Sequence, residues 1–127
     1  MNTNRLTQKS MEAVQNAQSI AAEYSNQTLQ PEHLLLSLLS QQDSLNAQLF
    51  TRMGVDTNSF MQNVTNIIAQ LPKVTASRQA DKVYISAQLD AALNSAEQTA
   101  QQMKDEYISV EHLALGLIDT AGGKLKD

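Results

Sequence analysis

Cysteine and tryptophan are absent from this 127-residue chain, and proline and glycine are nearly so, at two and four residues. Without cysteine there is neither a disulfide framework nor a thiolate metal site, which fits a reducing cytosol. Aromatic residues are scarce at 4%. Alanine, leucine, glutamine and serine take their place, and such residues suit helices better than sheets. Positive charge is also short, because nine Lys and Arg face thirteen Asp and Glu, for a net charge of −4 and a pI near 5.0. No basic stripe is present to neutralise phosphates, so nucleic acid is not an expected partner. Long apolar runs are missing too. The longest, residues 34–39 with Ser37 inside it, is far too short to span a bilayer. The polar start Met1-Asn2-Thr3-Asn4-Arg5 lacks the apolar segment of a secretory signal. A soluble, cytoplasmic protein with no membrane partner is expected.

What the chain does contain is a repeat. Glu32-His33-Leu34 returns as Glu111-His112-Leu113, an offset of 112 − 33 = 79 residues. The same offset lays Ala13, Ala17 and Ala21 on Ala92, Ala96 and Ala100, and Leu36 and Leu38 on Leu115 and Leu117. One offset shared by two periodic segments marks a duplicated supersecondary unit. At 42% hydrophobic content the chain suits one domain with a small core.

Periodicity predicts an all-α fold. Leu6, Ala13, Val14, Ala17, Ala21 and Tyr24 fall on one face of a first helix, which Asn26-Gln27-Thr28 ends. Pro31 suits the first position of a second helix, where its missing N–H costs nothing. The leucines 34, 35, 36, 38 and 39 cover most of that helix and predict a central place for it. Asp43-Ser44 caps a short third helix carrying Leu45, Leu49 and Met53 and closed by Gly54. Asp56 or Thr57 caps a fourth, with the stripe Phe60, Val64, Ile67, Ile68 and Leu71, and Pro72 stops it. Residues 73–83 read as an extended surface connection, longer than is usual between helices. Ser86 caps the fifth helix, with Leu89, Ala92, Leu93, Ala96, Ala100 and Met103 inward. Ser109 caps the sixth, with Val110, Leu113, Leu117 and Ile118 inward, and Gly122-Gly123 ends it.

These elements predict a single domain made of a four-helix repeat (about 5–71), a linker (about 72–84) and an incomplete second repeat (about 85–127). The two alanine rows lack bulk, so the first and fifth helices are expected to lie close together near a pseudo-twofold axis. The counterpart of Leu71 would fall at 71 + 79 = 150, beyond Asp127. The expectation is a piece of a longer chain, truncated in its second repeat. An apolar strip would then lie open beside the sixth helix, and the isolated domain would be a monomer or a weak dimer.

Catalytic chemistry finds little support. Gly122-Gly123-Lys124 lacks the following Ser or Thr and the upstream glycine of a phosphate loop, and reads as a helix stop. His33 and His112 occupy equivalent positions without further ligands, which favours a structural role over a zinc site. No carboxylate pair stands out as an acid/base couple. Binding is the better candidate. Glu32 and Glu111 sit in first turns, where a carboxylate meets the positive end of the helix dipole. Residues 104–111 add Asp105 and Glu106 around Tyr107 and Ile108. That turn is either simply solvated or an acidic rim around apolar groups that captures loose polypeptide.

Arg5-Leu6-Thr7, Gln30-Pro31-Glu32-His33-Leu34-Leu35, Leu71-Pro72-Lys73-Val74 and Ile108-Ser109-Val110-Glu111-His112-Leu113 carry a resemblance. In order and spacing, over essentially the whole chain, they resemble the N-terminal Clp-repeat domains of the ClpB disaggregase family, a branch of the Clp AAA+ unfoldases. The resemblance implies a mobile helical module tethered to a homohexameric ATPase of the bacterial cytosol. Such a module engages unfolded or aggregated proteins, while ATP and Mg serve the parent chain elsewhere. The domain itself then catalyses nothing and holds no cofactor or metal. By the same resemblance Thr7, Asp105 and Glu111 are substrate-binding positions. A groove between the two copies is also implied, though Ser95, Thr99 and His112 stand where relatives can be aliphatic. The ClpA and ClpC relatives share the fold, so adaptor docking is the alternative role.

Overall fold

The computed structural model describes residues 5–41, 44–71 and 84–120, with the side chains of 84, 119 and 120 left out. Among the described residues, six helices run in the expected order: α1 Gln8–Glu23, α2 Pro31–Ser40, α3 Leu45–Arg52, α4 Thr57–Ala69, α5 Ala87–Gln102 and α6 Val110–Thr120. Two-residue strands β1, Thr28–Leu29, and β2, Tyr84–Ile85, interrupt them without altering the all-α class. The connection expected at 73–83 and the helix stop at Gly122-Gly123 lie outside the described residues.

Local chemistry sets the helix ends. Ser44, Asp56 and Ser86 each accept a backbone N–H three residues on, as expected of N-caps. Thr7, which carries no cap signal in the helical pattern, does the same for α1 through Ser10 N. Gly54 closes α3 with φ +87°.

The two long helices that open the repeats end identically. Ser25 and Lys104, one offset apart, take left-handed φ values of 58° and 59°. Ser25 N and Asn26 N return to Ala22 O and Ala21 O, while Lys104 N and Asp105 N return to Gln101 O and Ala100 O. Both are Schellman closures, which consume the last free carbonyls of a helix.

The repeats hold each other by exchanging their extended arms. Leu29 pairs in parallel with Ile85, and Leu6 pairs in parallel with Ile108. Adding 79 turns Leu6 into Ile85 and Leu29 into Ile108, so each repeat's leading arm pairs with the other repeat's mid-turn. Ser86 N donates to Leu29 O at 3.0 Å and Thr7 N to Ile108 O at 3.1 Å. Reciprocal exchange satisfies arms that are too short to form sheets alone.

The alanine rows work differently from the expectation. Ala13, Ala17, Ala21, Ala92, Ala96 and Ala100 are all buried. They do not bring α1 against α5, because α1 packs chiefly on α2 and α5 on α6, and the halves meet around α2 and α6. Each row faces the second helix of its own repeat. Ser37 Oγ donates to Ala13 O at 2.6 Å. Its counterpart Gly116 lies so close to α5 that an added Cβ would sit 2.3 Å from Ala92 O. Small residues therefore serve closeness within each pair, and the leucine-rich second helices take the centre because they have most to bury.

Three further apolar expectations are corrected. Leu45, Leu49 and Met53 face outward, because α3 turns Asn46 and Phe50 inward, and Phe50 meets Phe60 edge-on at 5.9 Å. Met103 is 58% exposed, since it lies one residue beyond the end of α5. Ile118 is 44% exposed although its counterpart Leu39, beside α3 and α4, is buried. Leu115, one turn before it on α6, is exposed as well.

Candidate functional site

The turn from α5 to α6 collects the residues that the resemblance implies. Its anchor is Ile108, fully buried, whose backbone accepts from both Thr7 N and Ser10 Oγ, the latter at 2.9 Å. Ile108 is thus a structural pin and not one of the exposed apolar groups expected at the rim. Among the described residues of the turn, Tyr107 and Met103 are the exposed apolar groups. The pin brings the start of α1 onto the turn. Thr7 arrives with its hydroxyl spent on α1, accepting from Ser10 N at 3.1 Å.

Arg5 ties the same arm down. Its Nε donates to Glu106 O at 3.3 Å and its Nη2 to Asp105 O at 3.4 Å. Nη1 lies 3.9 Å from Glu97 Oε2 on α5, a loose and partly solvated pair that contributes little on its own. Glu111 is exposed in the first turn of α6 and accepts from Ser109 Oγ at 3.4 Å. Backbone pairing with Ile108 thus brings Thr7 to the turn that carries Asp105 and leads into Glu111.

Behind that surface lies a histidine. Ser109 N donates to His112 Nδ1 at 2.9 Å, closing the start of α6 as a capping box does. With Nδ1 accepting, the neutral ring carries its proton on Nε2, which lies 3.0 Å from Asp105 Oδ2. The first repeat repeats the arrangement with one change. Gln30 N donates to His33 Nδ1 at 2.9 Å, and His33 Nε2 meets Asn26 Oδ1 at 2.9 Å. His33 is fully buried, and burial lowers its pKa from 6.5 to about 4. Both histidines spend both ring nitrogens on their own turns, which supports the structural role expected for them. Among the described residues no group of three potential ligands gathers around either one.

The two turns differ in what they show to solvent. Asn26 is 4% exposed, whereas the Asp105 side chain is 47% exposed with Glu106, Tyr107 and Glu111 exposed around it. Arg5 and His112 carry no site signal as isolated residues. The signal that finds His112 is the offset itself, which superposes Asp105 on Asn26. Ser95 and Thr99 on α5 are half-buried and His112 is buried, so of the three polar residues at the implied groove positions only the first two reach solvent. Among the described residues no helix is long and apolar enough to cross a membrane.

The duplicated helical unit described above has known counterparts. The Clp repeat N-terminal domain matches residues 5–127, and the chain belongs to that family. Its relatives include the chaperone protein ClpB of Bacillus anthracis, 39% identical over 123 residues that cover 96% of this chain and 14% of the relative. The ClpB of Porphyromonas gingivalis is 36% identical over 130 residues, covering 100% of this chain and 15% of the relative. The chain thus spans about one seventh of the curated relatives it matches. The fold is shared with the N-terminal domain of Hsp104 from Candida albicans, with TM-score 0.81 at 23% identity over 91% of this chain and 74% of that one. The ClpV1 N-terminal domain from Escherichia coli gives TM-score 0.80 at 24% identity over 91% of this chain and 69% of that one.

Proposed function

We propose that this domain engages unfolded or aggregated polypeptides on behalf of a ClpB-type, ATP-dependent disaggregase of the cytoplasm. Catalysis, ATP and Mg belong to the hexameric parent, and the domain contributes capture only. One observation carries the reading. Of two equivalent turns, one has buried its polar residue, Asn26, while the other exposes Asp105 beside Tyr107, Met103 and Glu111. Carboxylates around exposed apolar groups suit extended chains rich in apolar and basic residues, with contacts loose enough to release them. Thr7, Asp105 and Glu111 are the residues assigned to this contact, Thr7 by holding the α1 start against the turn.

Titration of fluorescently labelled, unfolded casein with the domain tests the reading. Binding is expected to be weak and to fall with added salt, because exposed charges beyond about 10 Å are screened at 0.1 M. Asp105→Ala or Glu111→Ala should lower affinity while helicity persists. Unchanged affinity in both variants removes this site. Capture of one folded partner at fixed stoichiometry, with no affinity for casein, would favour the adaptor-docking role instead.

A further inference from the structure

The duplication supplies an internal control for Asp105. At the same place in the first repeat, an amide holds the histidine with the same geometry, 2.9 Å against 3.0 Å. The turn therefore has no structural need of a carboxylate at 105. Nor has the carboxylate been left to solvent, because a buried imidazole fixes one of its two oxygens. The other oxygen makes no hydrogen bond among the described residues, and the side chain is about half exposed.

We propose that His112 is the positioning residue for Asp105: its Nε2–H holds Oδ2, so that the free oxygen points outward as a fixed acceptor for Lys, Arg or backbone N–H groups of a client chain. This rests on the reading of the turn as the client contact. The geometry is enforced from both sides. Ser109 N–H occupies Nδ1, which excludes the tautomer that could not donate to Asp105. The Schellman closure at Lys104 and the 2.9 Å return of Asp105 N to Ala100 O set the carboxylate's origin. Arg5 donates to the carbonyls of residues 105 and 106 and not to this carboxylate, so the charge stays available. A carboxylate with one oxygen pinned loses less freedom on binding than a free one, and charge-assisted hydrogen bonds are the strong kind.

A double-variant cycle tests this, using Asp105→Asn, which copies the Asn26–His33 pair, and His112→Gln, which keeps an acceptor for the Ser109 N–H. Each single change should weaken casein binding by about threefold or more, with helicity unchanged. The double variant should bind no worse than the weaker single one. Multiplying losses, or full affinity in His112→Gln, overturn the proposal while leaving the client-binding site standing. Failure of the unaltered domain to bind casein sinks the site itself. The imidazole ¹⁵N signals give a readout that needs no client: those of His112 should move in Asp105→Asn while those of His33 stay. Unmoved His112 signals overturn the pairing in every case.

Discussion

Burial of His33 makes the domain's stability depend on pH well above the carboxylate range. Its folded pKa of about 4 lies below the unfolded value of 6.5, because the buried ring resists charge. The unfolded chain therefore binds the extra proton. The His33 contribution to stability is present above pH 6.5 and is lost as pH falls toward about 4. One proton per pH unit is worth about 1.4 kcal/mol, so the whole effect approaches about 3 kcal/mol, with about 2 kcal/mol of it falling between about pH 7 and pH 5. Against a typical domain stability of about 5–15 kcal/mol, that loss is readily measured. Urea denaturation followed by circular dichroism across this range is the assay. His33→Gln retains a side-chain acceptor for Gln30 N but cannot take up the proton, so its stability should be nearly flat over the same interval. Equal pH slopes for the variant and the unaltered domain would falsify the assignment.

Other consequences follow from the packing. Gly116→Ala would drive a Cβ into the backbone carbonyl of Ala92 and should cost about 1–3 kcal/mol or more, seen as a lowered melting temperature. A variant melting within a degree or so of the parent would show that α5 and α6 are less tightly apposed. Leu29→Ala and Ile108→Ala remove equivalent buried pins and should each cost about 2–5 kcal/mol in urea unfolding. A loss confined to one of them would contradict the reciprocal exchange of arms. Asn26→Asp would place a carboxylate at a buried position and should destabilise by about 1–3 kcal/mol at neutral pH, whereas Asp105→Asn should change stability by less than about 1 kcal/mol. Comparable losses in these two variants would mean that the turns do not differ in burial as described.

Much of this fold was legible because period and offset agree. The helices, the caps at Ser44, Asp56, Ser86 and Ser109, and the central place of the second helix all follow from spacing and turn chemistry. The pairing of helices was not legible. A row such as Ala13, Ala17 and Ala21 says that something approaches closely, and only Ser37 and Gly116, small residues on the facing helices, identify what does. Neither residue stands out in the helical pattern of its own segment. The exposed stripe on α3 misled for a related reason. Asn46 and Phe50 are the buried pair, and Asn46 is polar because its amide donates to Val110 O at 3.3 Å on α6. The site residues were visible through the resemblance, but the chemistry behind Asp105 was not. A histidine three residues after a cap reads as structure in both repeats, and the difference lies in its partner seven residues back.

The central claim is that clients meet the α5–α6 turn and the start of α1 that is pinned to it. Amide chemical-shift mapping of the domain during titration with unfolded casein tests this most directly. Shifts should concentrate at residues 5–10 and 103–112, with α3 and α4 unaffected. Shifts centred instead on the cleft between α3 and α4, around Ala47, Thr51 and Met61, would place the client on a different face and contradict the account.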